Sequence, residues 1–201
     1  VTATAWDALA AMDAAQPDYS GSCMIALYPP ADVAEQLAIP DGLPPDEIHL
    51  TVAYTGDCAD VDEFTLASAA SALADRQPVA ATISGHARFT GGDDGDAFVA
   101  LVDSPMLDTL RRSAVDVLAT RGIAIPSEHG FTAHMTICYA DPAAADPVGR
   151  LEPFPVTFTG VSASYGTERY TFPFCPGPGD APARDSWNSL RQAATDRAGE
   201  R

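Results

Sequence analysis

The sequence predicts an α+β domain built as two lobes, and three observations carry that expectation. A six-residue pattern occurs twice, as His-Leu-Thr-Val-Ala-Tyr from His49 and as His-Met-Thr-Ile-Cys-Tyr from His134, 85 residues later. Around and between the copies, segments alternating at the two-residue period of strands are interleaved with segments that are apolar at helical spacing. From Pro176 the composition shifts to Pro, Gly, Asp and Ala, which marks the end of a compact region. The expected organisation is therefore one two-lobed domain over residues 1–175, followed by a linker and appendage over 176–201.

Each copy of the pattern reads as a half-buried strand. His49 and Thr51 share one face, opposite Leu50, Val52 and Tyr54; His134 and Thr136 share one face, opposite Met135, Ile137 and Tyr139. Agreement over six residue classes points to an internal duplication.

Taken in order, residues 3–15 are Ala-rich with Trp6, Leu9 and Met12 at helical spacing, ended near Pro17. Ser22 to Tyr28 reads as a strand stopped by Pro29 and Pro30, and Ala31 to Leu37 as a helix. A Pro40 to Pro45 loop delivers the chain into the first motif strand. Val61 to Asp75 reads as an amphipathic helix with Val61, Phe64, Leu66, Ala69 and Leu73 as its apolar positions, ended by Pro78. Val79 to Phe89 alternates as a strand, Gly91 to Gly95 is a turn, and Ala97 to Val102 is an apolar strand. Pro105 to Thr120 follows as a helix whose Leu107, Leu110, Val115 and Leu118 face a core, with Gly122 as its cap. A Pro126 to Gly130 loop precedes the second motif strand, and residues 141–149 form a loop after it. Pro155 to Ser164 and Arg169 to Phe174 read as two strands of a hairpin around Tyr165-Gly166-Thr167-Glu168. Ser186 to Arg197, with Trp187 and Leu190, reads as a short helix in the appendage.

Composition narrows the function. No apolar run approaches a membrane span, and the first residues do not read as a secretion signal, because Asp7 and Asp13 interrupt them without a preceding basic region. A soluble cytoplasmic protein is expected, in the host cytoplasm if the chain is viral. Cys23, Cys58, Cys138 and Cys175 are scattered without paired spacing, which favours reduced structural thiols over disulfides or a zinc site. A formal charge of −17 would repel a long phosphate backbone, so long nucleic acids are poor substrates while a small nucleotide in a local pocket is not excluded. All eleven basic residues are Arg, and the absence of Lys rules out a P-loop lysine, a Schiff base or a nucleotidyl-lysine intermediate. Nothing in the chain fixes an oligomeric state.

The two His-x-Thr strands, their spacing and the strand-helix pattern between them resemble the 2H phosphoesterase superfamily. That superfamily includes the bacterial "2'-5' RNA ligase" proteins, cyclic phosphodiesterases and phage nucleases that destroy cyclic-nucleotide immune signals. The resemblance covers roughly residues 22 to 175. It implies two antiparallel sheets flanked by helices, related by a pseudo-twofold axis about a central cleft.

The residues themselves permit the corresponding chemistry. Phosphodiester cleavage needs an activated nucleophile, a proton for the leaving oxygen and stabilisation of charge on the non-bridging oxygens. Two imidazoles can serve as base and acid near neutral pH, and two hydroxyls can donate to the phosphoryl group. His49, Thr51, His134 and Thr136 are therefore the candidate catalytic residues, with the base and acid roles left exchangeable. Tyr28 and Phe131 are candidates to stack on a base, and Tyr165 and Glu168 to line the cleft. Of the remaining imidazoles, His129 is read as facing away from His134 in a loop, so His86 and His129 are not expected to complete a four-histidine metal centre; Arg88 and Arg169 could contact phosphate, but on so acidic a surface pairing with carboxylates is the expectation. No metal or cofactor is called for. The expected activity is metal-independent hydrolysis of small cyclic nucleotides or cyclic oligonucleotide second messengers, including a role in phage evasion of host immunity. The alternatives are processing of RNA 2',3'-cyclic phosphate ends and a binding protein that sequesters a nucleotide without cutting it.

Overall fold

The computed structural model describes residues 21–92, 95–125 and 130–175. The helix expected at 3–15, His129 with most of its loop, and the appendage from Pro176 lie outside them. The elements run β1 (Ser22–Leu27), α1 (Ala31–Leu37), β2 (Leu50–Asp57), α2 (Glu63–Leu73), β3 (Val79–Gly92), β4 (Gly95–Asp103), α3 (Pro105–Ala119), β5 (His134–Ala140), β6 (Phe154–Phe158), β7 (Gly160–Tyr165) and β8 (Glu168–Pro173).

Local chemistry sets the helix boundaries. Pro29 and Pro30 cannot extend the β1 ladder, and Pro30 stands at the N-cap of α1. Asp62 caps α2 by accepting from the Thr65 amide at 2.8 Å, and Ser104 caps α3 with Pro105 in its first turn. The α3 stripe toward the core is Leu107, Leu110, Ala114 and Leu118. Val115 is exposed instead of facing the core, because it sits a quarter-turn off that stripe. Phe64 is likewise 55 % exposed; it precedes Leu66 by two residues, roughly 160° around the helix, and so points away from the face α2 buries.

Hydrogen bonding joins eight antiparallel strands in the order β6-β3-β4-β5-β2-β1-β7-β8. The two sheets expected from the resemblance are the two four-stranded halves of this ladder. They are fused through one residue pair, Leu50 opposite Met135. Those residues are equivalent in the two copies of the motif, so a local twofold axis passes between them. The unit β1–α1–β2 on one side corresponds to β4–α3–β5 on the other, each a strand, a helix and a motif strand.

The segment expected as a single strand from Pro155 to Ser164 is broken at Thr159. The β6 half pairs with β3 and the β7 half with β1, in opposite lobes. In a flat sheet those two positions would be six strand spacings apart, about 29 Å, whereas one intervening residue spans only about 7 Å. The ladder therefore curls, bringing the lobe edges together. Gly160 permits the switch, since a Cβ there would meet the Phe172 carbonyl oxygen at 2.8 Å. The main core spans both lobes, with Val79, Phe158, Val161, Leu66 and Leu110 in the same buried cluster.

Candidate active site

The motif strands meet at the centre of the ladder, and this position assembles the site. Around the Leu50–Met135 pair the antiparallel direction sets His49 toward Thr136 and Thr51 toward His134. Pairing stops after that one pair, so the two strands part on either side of it. The side chains of Leu50, Val52, Met135 and Ile137 are fully buried on the other face, while both histidines and both threonines are half-buried.

Both strands carry the same irregularity. Ile25 and Ala26 of β1 pair with Ala53 and Thr51, which leaves Val52 extra. Phe98 and Val99 of β4 pair with Cys138 and Thr136, which leaves Ile137 extra. Each is a β-bulge, and the carbonyl it displaces from the ladder is recovered from outside. Arg111 on α3 donates to the Val52 oxygen at 2.8 Å, and the Leu43 amide donates to the Ile137 oxygen at 2.8 Å. The bulges also correct the strict alternation expected of the motifs. Two successive side chains, Val52 and Ala53, turn inward, so Tyr54 emerges on the His/Thr face and is 45 % exposed. Tyr139 is half-buried for the same reason, following Ile137 and Cys138.

The histidines are held alike. The Nδ1 of His49 lies 2.6 Å from the Glu47 carbonyl oxygen, and that of His134 lies 2.7 Å from the Thr132 carbonyl oxygen. A carbonyl can only accept, so each Nδ1 carries the proton, and Nε2 is the lone-pair nitrogen of the neutral ring. His49 is pushed below the usual imidazole range, first by burial and then by the charges of Arg169 and His134, against the opposing pull of its bond to Glu47. Thr51 gives its hydroxyl to the Met24 thioether at 3.6 Å, a weak acceptor that a phosphoryl oxygen would readily replace.

Of the four candidate binding residues, one reaches the imidazoles. Tyr28 stands beside His49 with ring centroids 5.4 Å apart, and its hydroxyl meets Ser164 at 2.9 Å. Phe131 packs against the core with the Arg111 guanidinium 5.6 Å from its ring centre. Tyr165 and Glu168 pair at the β7–β8 turn, level with Cys23 and Gly56. Antiparallel pairing puts that turn six residues along β2 from the Leu50 row, about 20 Å from His49. The cleft position expected for Tyr165 and Glu168 is thus corrected by register: Tyr165 instead bonds the Cys58 carbonyl at 2.7 Å.

Arg88 pairs with Asp96 at 2.6 Å, as the acidic composition suggested. Arg169 does otherwise. Its guanidinium lies 3.6 Å from the centre of the Tyr28 ring and donates to the Asp46 carbonyl at 2.8 Å, which places a cation next to His49. His86 bonds Asp146 at 2.6 Å, away from the motif histidines. Phe89 was not singled out in the sequence, yet its ring meets that of His134 edge to face, with centroids 4.9 Å apart. Its only sequence signal is its parity in an alternating strand, which does not reveal the strand it lies against. Among the described residues no group of three or more His, Cys, Asp or Glu converges as metal ligands, and no helix is long and apolar enough to cross a membrane.

The family model of the 2'-5' RNA ligase superfamily matches residues 29–148, a stretch that contains both motifs. The chain belongs to this superfamily. Among solved structures it is similar to Thermus thermophilus TT0787, at 18 % identity and a TM-score of 0.56, over 75 % of this chain and 97 % of that one. It is also similar to Escherichia coli LigT complexed with NADP+, at 17 % identity and a TM-score of 0.52, over 81 % and 94 % of the two chains. Both likenesses are of fold, and agree with the mixed α+β architecture of this superfamily. No curated protein sequence gives a significant match.

Proposed function

We propose that the chain is a metal-independent phosphodiesterase that hydrolyses small cyclic nucleotides, with cyclic oligonucleotide second messengers as its preferred class. The observation that carries this reading is the symmetric pair of imidazoles, each fixed through Nδ1 to a backbone carbonyl two residues earlier. His49, whose proton affinity is lowered by burial and by Arg169, acts as base and withdraws a proton from the attacking water. His134, entering as imidazolium, delivers its Nε2 proton to the leaving oxygen. Thr51 and Thr136 donate to the non-bridging oxygens as charge grows on them. The base and acid arrive from opposite sides of the twofold axis, as in-line displacement requires.

The choice of substrate rests on charge and on the groups beside the two imidazoles. A net −17 disfavours a long polyanion, while Arg169, Tyr28 and Phe89 offer one cation and two ring faces on the scale of a small nucleotide. LigT has been solved with NADP+ and with ATP, ligands of that size. An immune-evasion role, destroying a host's cyclic messenger, fits this class. The family name supports a second reading, cleavage of 2',3'-cyclic phosphate at RNA ends. Here the same histidines would act, and a neighbouring 2'-hydroxyl could replace water as nucleophile in a 3'-5' linkage.

The test is incubation with cyclic di- and trinucleotides, 2',3'-cyclic mononucleotides and a long RNA bearing an equivalent linkage, with EDTA throughout and products identified by mass. Turnover of a short cyclic substrate in EDTA, with higher kcat/KM than the long RNA and a gap that narrows as salt rises, is the expected result. Preference for the long RNA at low salt would replace it with the RNA-end reading. Activity recovered only on adding zinc or manganese would overturn the metal-independent mechanism. Tight binding without turnover would identify a sequestering protein.

A further inference from the structure

Cys23 opens the buried stretch of β1 and Cys58 begins the turn after β2, with no motif spacing between them. In the fold their Sγ atoms stand 2.7 Å apart, inside the contact distance of two unbonded sulfurs. We propose that Cys23 and Cys58 are a redox modification site that closes to an intramolecular disulfide on meeting a low-molecular-weight disulfide such as oxidised glutathione.

The backbone on both sides is already pinned in the required place. Cys23 pairs with Gly56, two residues before Cys58. The Thr55 hydroxyl donates to the Cys23 carbonyl at 2.9 Å, and the Tyr165 hydroxyl donates to the Cys58 carbonyl at 2.7 Å. Asp57 accepts from the Ala59 amide at 2.7 Å and fixes the turn that carries Cys58. Closure therefore needs little movement, and proximity supplies the effective concentration that a buried thiol needs in order to react. The other cysteines are differently placed: Cys138 sits in a separate small cluster with Phe98 and Ala140.

Exposure divides the roles. Cys58 is half-buried and accessible, whereas Cys23 is fully buried, and burial together with the adjacent Cys58 raises its thiol well above the usual range. The Cys58 thiolate attacks one sulfur of the oxidant, forming a mixed disulfide and releasing one small thiolate. The Cys23 sulfur then attacks Sγ of Cys58 as its proton passes to the second departing thiolate. The balance is two protein thiols and one small disulfide converted to one protein disulfide and two small thiols, and excess small thiol reverses it. The bond would close a loop that contains α1, His49 and Thr51, tying the far end of the motif strand back to β1.

The experiment uses the full chain in oxidised glutathione, quenched in acid, alkylated in denaturant and cut by a Glu-specific protease, which cleaves after Glu35 and Glu47 between the two cysteines. The expected result is a Cys23–Cys58 linked peptide pair that dithiothreitol separates, formed equally well in a Cys138→Ser/Cys175→Ser variant. In that variant oxidation should raise Tm by about 5 °C or more, and the rise should vanish on adding Cys58→Ser, which avoids the risk of unfolding carried by a change at buried Cys23. Glutathione retained on Cys58 without linkage to Cys23, or both cysteines remaining alkylatable, would overturn the proposal. So would a linked pair with an unchanged or lowered Tm, because the bond would then not fit the native geometry.

Discussion

Behind the motif strand β2 one row runs Thr51, Ala26, Ser162, Thr171, and the next row Tyr54, Met24, Ser164, Arg169. Behind β5 the corresponding rows run Thr136, Val99, Ala87 and Tyr139, Ala97, Phe89. The backbone is duplicated down to the bulge, yet one lobe offers hydroxyls and a guanidinium where the other offers methyl groups and a phenyl ring. The repeat keeps an imidazole and a hydroxyl in both lobes, which is what the proposed reaction would need on each side of phosphorus. The flanking rows differ, and on the proposed reading they would meet the polar sugar-phosphate part and the flat apolar base of a nucleotide. The histidines differ as well: Arg169 stands beside His49, and the Phe89 ring beside His134.

The sharpest way to break this comparison is to remove each imidazole in turn. His49→Ala and His134→Ala should each lower kcat/KM by on the order of 100-fold or more on the identified substrate, with circular dichroism unchanged. Parent activity in either variant would mean that the lobes do not share the reaction. Thr51→Val and Thr136→Val keep packing volume and remove one neutral donor each, so about a 10-fold loss is expected from kcat. Comparable losses would show that the twofold holds at the phosphate, and two unchanged rates would remove the cradle.

The burial of His49 and the guanidinium beside it predict a pH effect. A base held below the ordinary imidazole value of about 6.5 stays neutral in mildly acidic solution, so the acid limb of kcat/KM should lie below that value. Arg169→Gln removes one of the forces lowering His49 and should move that limb to higher pH, by less than about one unit because the guanidinium is solvated. The stability sign agrees: His49 binds its proton more readily unfolded than folded, so its contribution is present above pH ~6.5 and declines as pH falls through the folded value. An acid limb unmoved by Arg169→Gln would detach the cation from the base.

The smallest expected effect concerns the bulges. Arg111→Met deletes the donor to the Val52 carbonyl while keeping an apolar stem against Phe131, and should cost about 1–3 kcal/mol in urea unfolding. The equivalent carbonyl of Ile137 takes the Leu43 backbone amide, which no substitution short of proline removes, so a side-chain truncation exposes this weakness in one lobe alone. No loss in the Arg111 variant would mean that water serves the carbonyl equally well.

Much was legible in the sequence because it depends on short-range chemistry. The duplicated motif, the buried faces of its first residues, the extents of α1 and α3 and the proline stops all follow from periodicity and capping within a few residues. That His49, Thr51, His134 and Thr136 stand on two equivalent strands was legible for the same reason, since a repeated pattern marks both copies. What only the tertiary structure decided depends on which strand lies beside which. Sequence parity placed Tyr54 inward, and the bulge at Val52 turned it out. Tyr165 and Glu168 lay close to the second motif in the chain, and antiparallel register carried them to the far end of the sheet. Phe89 and Arg169, from strands with five others between them in the ladder and eighty residues apart in sequence, reach the two imidazoles only because the motif strands meet at the centre of the curled sheet. Local propensity carries no information about such pairings, which are fixed by the burial of a core that spans both lobes.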